Sequence, residues 1–174
     1  MYGFRARTNT PDKIDFTTGI WWEEIGRATL TTAGDTVSVA GMATRKYLRL
    51  QIHILNSGLI NGVLRFNTDS GANYTLRYST NGTFGSAVSQ TAVGDLSSNS
   101  ALSATVDIIN VASSAKVGKV VSIGNISSAG TAPSYVELWF SWVNASSQIN
   151  RIDLVNTGVG DFAAGTQVVV LGHN

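Results

Sequence analysis

Residues Arg151–Asn174 read "RIDLVNTGVGDFAAGTQVVVLGHN", and two incompatible structures can be drawn through them. Gly158 to Ala163 has the spacing G-x-G-x-x-A, the glycine-rich turn that seats a dinucleotide's pyrophosphate. That turn works only when a helix follows at once, because the helix N-terminus supplies the amide donors and the dipole. Here Gly165 and the β-branched run Val168-Val169-Val170 follow, which suits a strand and disfavours a helix. The stretch is therefore read as strand, turn, strand. Gly158 and Gly160 are expected at positive φ in the turn, with Phe162 tucked into the end of a sandwich. No cofactor is expected.

Working outward, nearly every segment alternates with period two, the mark of a half-buried strand. In "KYLRLQIHIL" Leu48, Leu50, Ile52 and Ile54 share one face, while Tyr47, Arg49, Gln51 and His53 share the other. "ATLTTAGDTVSVAG" gives two strands around Gly34-Asp35. Leu64 and Phe66 precede a polar turn, then Tyr74, Leu76 and Tyr78 run to the turn signal Asn81-Gly82. Thr80 to Ser103, poor in large apolar residues, is expected to be exposed loop with at most one short strand. "ATVDIINVA", "KVVSIGNIS", "YVELWFSWVN", "INRIDLVNT" and "TQVVVLGH" are further strands. Pairing 135–143 with 149–156 as a hairpin sets Leu138 against Leu154, Phe140 against Ile152 and Trp139 against Asp153. Folding 166–171 back then places Val170 beside Ile152 and Val168 beside Leu154, leaving one face apolar throughout. Eight to ten such strands predict an all-β fold, an antiparallel two-sheet sandwich of jelly-roll type spanning residues 21–174. Residues 1–20 lack a period and read as an extended N-terminal arm.

The composition narrows the function classes. The 174 residues suffice for a single packed core, and the absence of cysteine removes disulfides and thiolate metal sites. Charged residues are 13 %, about half the usual share of roughly 25 %. Ser, Thr and Asn make up roughly 29 % instead, so hydroxyls and amides wet the surface. A net charge of +1 offers no field for nucleic acid or an anionic membrane. No apolar run reaches the roughly 20 residues that span a bilayer, and the first 20 residues lack the apolar core of a signal peptide. A cysteine-free, hydroxyl-rich β protein without an export signal fits a virion protein, made in a host cytoplasm and released by lysis.

Candidate sites are few. His53 lies on a polar strand face and His173 is penultimate; surface or interface roles are expected for both, and no metal. Asp153 beside Arg151 suggests an ion network on a surface or an interface, not a general acid–base pair. Neither G-x-S-x-G nor H-E-x-x-H occurs. "NTDSGANY" around Asp69 matches the first half of a calcium loop, but Arg77-Tyr78 stands where the closing glutamate belongs, so an Asx-type turn is expected. The four N-x-S/T sequons, at Asn73, Asn81, Asn125 and Asn144, follow from composition. Aromatic residues say more. Trp21 and Trp22 open the first strand, and Tyr47 and Trp139 face outward. Such residues serve either as subunit contacts or as sugar platforms, and the low charge favours contacts. Arg5 and Arg7 in the arm, with Trp21, Trp22, Tyr47, Trp139, Arg151 and Asp153, are the candidate interface or ligand residues.

"WEEIGRATLTTAGDTVSVAGMATRKYLRLQIHIL", "LRFNTDSGANYTLRYSTNG" and "INRIDLVNTGVGDFAAGTQVVVLGHN" resemble a module of tailed-bacteriophage virion proteins, small β-sandwiches of the head surface or tail appendages. The likeness runs from Trp22 to Asn174 and is most specific in Arg151–Gly158, Gly160–Phe162 and Val168–Gly172. It implies a structural or adhesive, non-enzymatic role and brings no active-site residues. The expected protein is a decoration or appendage subunit, a homo-oligomer (a trimer is one option) that contacts other virion proteins. The alternative is a glycan-binding receptor module of a tail; a small enzyme ranks third.

Overall fold

The computed structural model describes residues 21–56, 58–98, 100–124, 129–130 and 132–174. They form twelve strands: β1 (Glu23–Thr29), β2 (Thr36–Val39), β3 (Tyr47–Ile54), β4 (Ile60–Phe66), β5 (Tyr74–Thr80), β6 (Thr83–Gln90), β7 (Val93–Ser98), β8 (Leu102–Ile109), β9 (Lys116–Gly124), β10 (Ser134–Trp142), β11 (Ile152–Asn156) and β12 (Gln167–His173). All ladders are antiparallel. One sheet runs β1-β12-β3-β8-β9-β10-β5-β6 and the other β2-β11-β4-β7. Remove the hairpins β5–β6 and β9–β10, and two four-stranded sheets remain, β1-β12-β3-β8 and β2-β11-β4-β7. That interleaving is a jelly roll. The two hairpins are insertions, one between β4 and β7 and the other between β8 and β11, and both widen the same sheet.

Alternation places the core as the sequence implied. Leu48, Leu50, Ile52 and Ile54 of β3 are buried, as are Val168 and Val170 of β12, Leu138 and Phe140 of β10, and Ile152 and Leu154 of β11. Phe66, Tyr74, Phe140 and Trp142 pack with ring centroids 5.6–6.2 Å apart, an aromatic plug where each ring buries on the order of 150–250 Å². The composition also finds its physical use here, since amides rather than charges close the ends of the sandwich. Buried Asn110 accepts from the Ile149 amide at 2.7 Å and donates to the carbonyls of Arg45 and Ile149. Asn67 accepts from the amides of Asn150 and Arg151 and donates to the Gln148 carbonyl. Lys116, a buried charge, adds to the set: its Nζ donates to the carbonyls of Ser114 (2.8 Å) and Asn144 (2.6 Å), and burial pushes its pKa down.

Four expectations need correction. The region Thr80–Ser103 contains β6 and β7 rather than loop. Asn81 (φ 48°) and Gly82 (φ 87°) form the two-residue turn that returns Thr83 beside Thr80. β6 is an edge strand with little buried side chain, so it carries no hydrophobic signal. β10 and β11 do not form a hairpin: β10 pairs with β9 and β5, and β11 with β2 and β4. β12 pairs with β1 and β3, so Val170 and Val168 are not ladder neighbours of Ile152 and Leu154. Period two identifies the buried face of a strand but not its neighbour, and any two buried faces match. Finally, the positive-φ glycines among the described residues are Gly41, Gly82 and Gly165, not Gly158 or Gly160. A Cβ on Gly158 would stand 2.8 Å from the Asn61 nitrogen, and one on Gly160 would stand 3.0 Å from the Gly58 carbonyl carbon. These glycines permit close backbone approach. Phe162 is fully buried, bridging Gly34 and Asn56, as expected.

Candidate functional site

The outward face of the large sheet should be polar if only water meets it, yet part of it is not. Consecutive apolar pairs in three adjacent strands, Ile108-Ile109, Val120-Val121 and Leu138-Trp139, give each strand one apolar residue on either face. Ile109 stands opposite Val117, and Lys119 lies between Asp107 and Trp139. Ile109, Val117 and Trp139 remain 47 %, 43 % and 42 % exposed.

An aromatic group borders this floor on the β1–β3 side. Tyr47 of β3 and His173 of β12 are register partners, and their rings stack with centroids 4.8 Å apart. Trp22, just before β1, meets His173 edge-on at 4.5 Å. Arg49 lies over the Trp22 ring at 5.1 Å and Lys46 over Tyr47 at 5.2 Å, distances at which a cation is attracted to the ring face. Arg49 Nε also donates to Asp107 Oδ1 at 2.6 Å, and that hydrogen bond holds the guanidinium pKa above its ordinary value. Trp22, Tyr47, His173, Ile109, Val117 and Trp139 thus bound a groove of about 570 Å³, with Asp107 and Lys119 in its floor. It is a largely apolar surface, with Lys46 and Arg49 against its aromatic margin.

Of the residues singled out from sequence, Trp22, Tyr47 and Trp139 converge here. Trp21 is exposed beside them in sequence. Arg5 and Arg7, and the arm as a whole, lie outside the described residues. Arg151 and Asp153 are elsewhere. β11 belongs to the small sheet, so Asp153 is not beside Trp139. Asp153 is 5 % exposed, accepts from Ser38 Oγ at 2.6 Å and from Arg151 Nε at 3.0 Å, and forms a structural clasp between β2 and β11. Hydrogen bonding to Asp153 raises the Arg151 pKa. His53 and His173 share the outward face, but His53 pairs with Gln167 and His173 with Tyr47. Six strand positions separate them, about 20 Å, too far to share a metal ion. Among the described residues no group of three or more His, Asp or Glu side chains is placed to hold a metal.

Asp69 forms the Asx-type turn: its Oδ1 accepts from Gly71 N at 2.8 Å, and Asn73 and Trp142 also donate to the carboxylate. Ile109, Val117 and His173 were not anticipated as groove residues; the apolar pair Ile108-Ile109 was the signal that could have revealed the first. Comparison with known proteins finds no matching family model, no matching curated protein and no matching solved structure. Fold and site together define a jelly-roll β-sandwich with an aromatic groove on its wider sheet that no other described residue covers.

Proposed function

We propose that this chain is a non-enzymatic structural subunit of a tailed-bacteriophage virion, a surface decoration or appendage protein that assembles through the outer face of its large sheet. The observation that carries the proposal is the groove itself, where Trp22, Ile109, Val117 and Trp139 are each more than a third exposed on one face. Exposed clusters of this kind mark contact surfaces, and Trp and Tyr dominate contact energies. The phage setting rests on the resemblance carried by Trp22–Asn174 and on the hydroxyl-rich, cysteine-free composition. Residues 1–20 supply a second contact with a neighbouring subunit through Arg5 and Arg7. The subunits meet as a homo-oligomer and with other virion proteins, in particles assembled in the host cytoplasm.

The test is light scattering of the purified protein beside its Ile109→Asp/Trp139→Ala variant. Wild type is expected as an oligomer, with the variant monomeric and unchanged in circular dichroism. A monomeric wild type that is also missing from washed particles rejects the proposal.

A second reading has its own support. Trp139 stands beside Lys119 on one side and Arg77 on the other, an aromatic platform flanked by hydrogen-bond donors, which suits a host glycan. Trp139→Ala would then abolish binding to a glycan array or to host cells while leaving the oligomer intact.

A further inference from the structure

A second cavity lies at the opposite sheet. β4 turns Ile60, Leu64 and Phe66 inward and Asn61, Val63 and Arg65 outward, yet Val63 is buried. Its cover is the inserted hairpin β5–β6, from which Leu76, Tyr78 and Ala87 reach over the outward side of β4 before Thr91 and Ala92 lead into β7. Hairpin and small sheet together enclose a cleft of about 420 Å³, within the range of small-molecule sites.

The cleft is charged on one side only. Among the described side chains that line it, Arg65 is the one ionised group. Its register partner on β11 is Asp153, but that carboxylate is already engaged by Ser38 and Arg151. No described residue forms an ion pair with Arg65, and its Nε is buried without a hydrogen-bond partner. A guanidinium lining a cleft is suited to meet two oxygens of one carboxylate. Around it stand the amides of Asn61 and Gln90, the hydroxyls of Ser97 and Thr157, and the Tyr78 ring, which lies against Gly85 so closely that a Cβ there would be 2.5 Å from it. A guanidinium, an aromatic wall, and a rim of amides and hydroxyls match a carboxylate on a ring that carries hydroxyls. A phosphate dianion would call for more than one positive charge.

We propose that the cleft at Arg65 binds a carboxylate-bearing sugar, a uronic or sialic acid residue. The site lies on the small sheet, separate from the aromatic groove, and does not depend on the function assigned to that groove. The experiment is an amide ¹H–¹⁵N titration of the full chain with glucuronic acid and N-acetylneuraminic acid, with glucose and inorganic phosphate as controls. At least one acid is expected to shift β4 and β7 resonances saturably, while glucose and phosphate do not. Arg65→Gln should weaken that binding about tenfold or more, the worth of a charge-assisted hydrogen bond, and Arg65→Lys should fall between. Asn61→Asp, which sets a like charge in the cleft, should abolish it and serves if Arg65→Gln does not fold. No saturable shift with either acid overturns the proposal. So do equal shifts with glucose or phosphate, shifts confined to β8–β10, and unchanged binding by Arg65→Gln or, where that variant does not fold, by Asn61→Asp.

Discussion

The indole of Trp142 donates to Oδ2 of Asp69 at 2.7 Å, tying the end of β10 to the turn between β4 and β5. Burial pushes the Asp69 carboxyl up, but hydrogen bonds from Trp142, Gly71 and Asn73 outweigh it and hold the pKa below its ordinary value of 3.8. A carboxylate whose folded pKa is depressed stabilises the fold fully above its unfolded pKa and loses that contribution as pH falls through the folded value. Wild type should therefore lose melting temperature below about pH 4 more steeply than Asp69→Ala. At neutral pH the same substitution leaves the indole N–H without its acceptor and should cost about 1–3 kcal/mol. In a Trp142→Phe background the cost should shrink; an equal cost there would separate the two residues energetically.

Tyr74 gives the opposite pH signature. Its hydroxyl accepts from Phe66 N and donates to the Asp69 carbonyl, both at 3.1 Å. Burial pushes the phenol up to about 12 from 10.0. The unfolded chain then releases this proton before the folded one, so stability falls as pH rises from about 10 to about 12. Chemical denaturation at several alkaline pH values should show wild type converging on, or crossing below, Tyr74→Phe across that window. Parallel curves would refute the assignment.

These two residues also show what could be read from sequence. The strand carrying Tyr74, Leu76 and Tyr78 followed from alternation, and the Asx turn at Asp69 followed from residue chemistry within a few positions. That Trp142 reaches Asp69 did not, because 73 residues separate them and nothing local specifies the meeting. The same limit hid the groove. Tyr47 and Trp139 were legible as outward-facing aromatics and Trp22 as the opening of the first strand, but their convergence depends on β12 lying between β1 and β3. The wrong pairing of Trp139 with Asp153 arose in the same way, since strand faces are encoded locally and strand neighbours are not.

Gly118 of β9 faces inward, where a Cβ would stand 2.5 Å from both the Asp107 carbonyl oxygen and the Phe140 ring. Gly118→Ala should destabilise by about 1–3 kcal/mol, read as roughly 2–4 °C of melting temperature per kcal/mol at this size. Gly34→Ala is the control, because nothing lies within 4 Å of its added carbon; its change should stay within about 0.5 kcal/mol. Equal effects would mean that the sheet absorbs the methyl.

Lys116→Met removes an ammonium that holds the carbonyls of Ser114 and Asn144. The gain from relieving a desolvated charge is set against two carbonyls losing their donor. The fully buried position favours the second effect, a loss of about 1–3 kcal/mol. Hydrogen exchange should locate the weakening in the β9–β10 hairpin; a variant at least as stable as wild type would show that desolvation outweighs the clasp.

The place of β12 bears on how the chain comes to be folded at all. Gln167–His173 lies between β1 and β3 and supplies the one ladder that β1 has among the described residues. On the ribosome β1 and β3 emerge long before the strand that joins them. Until β12 is released, β1 has nowhere to pair and one side of β3 stays bare, a template for any passing strand. The closure that ends this interval spans nearly the whole described chain, which makes it entropically slow. Translation and sheet formation therefore run in conflict at this seam, and a chain stalled before Gln167 is a species prone to aggregate.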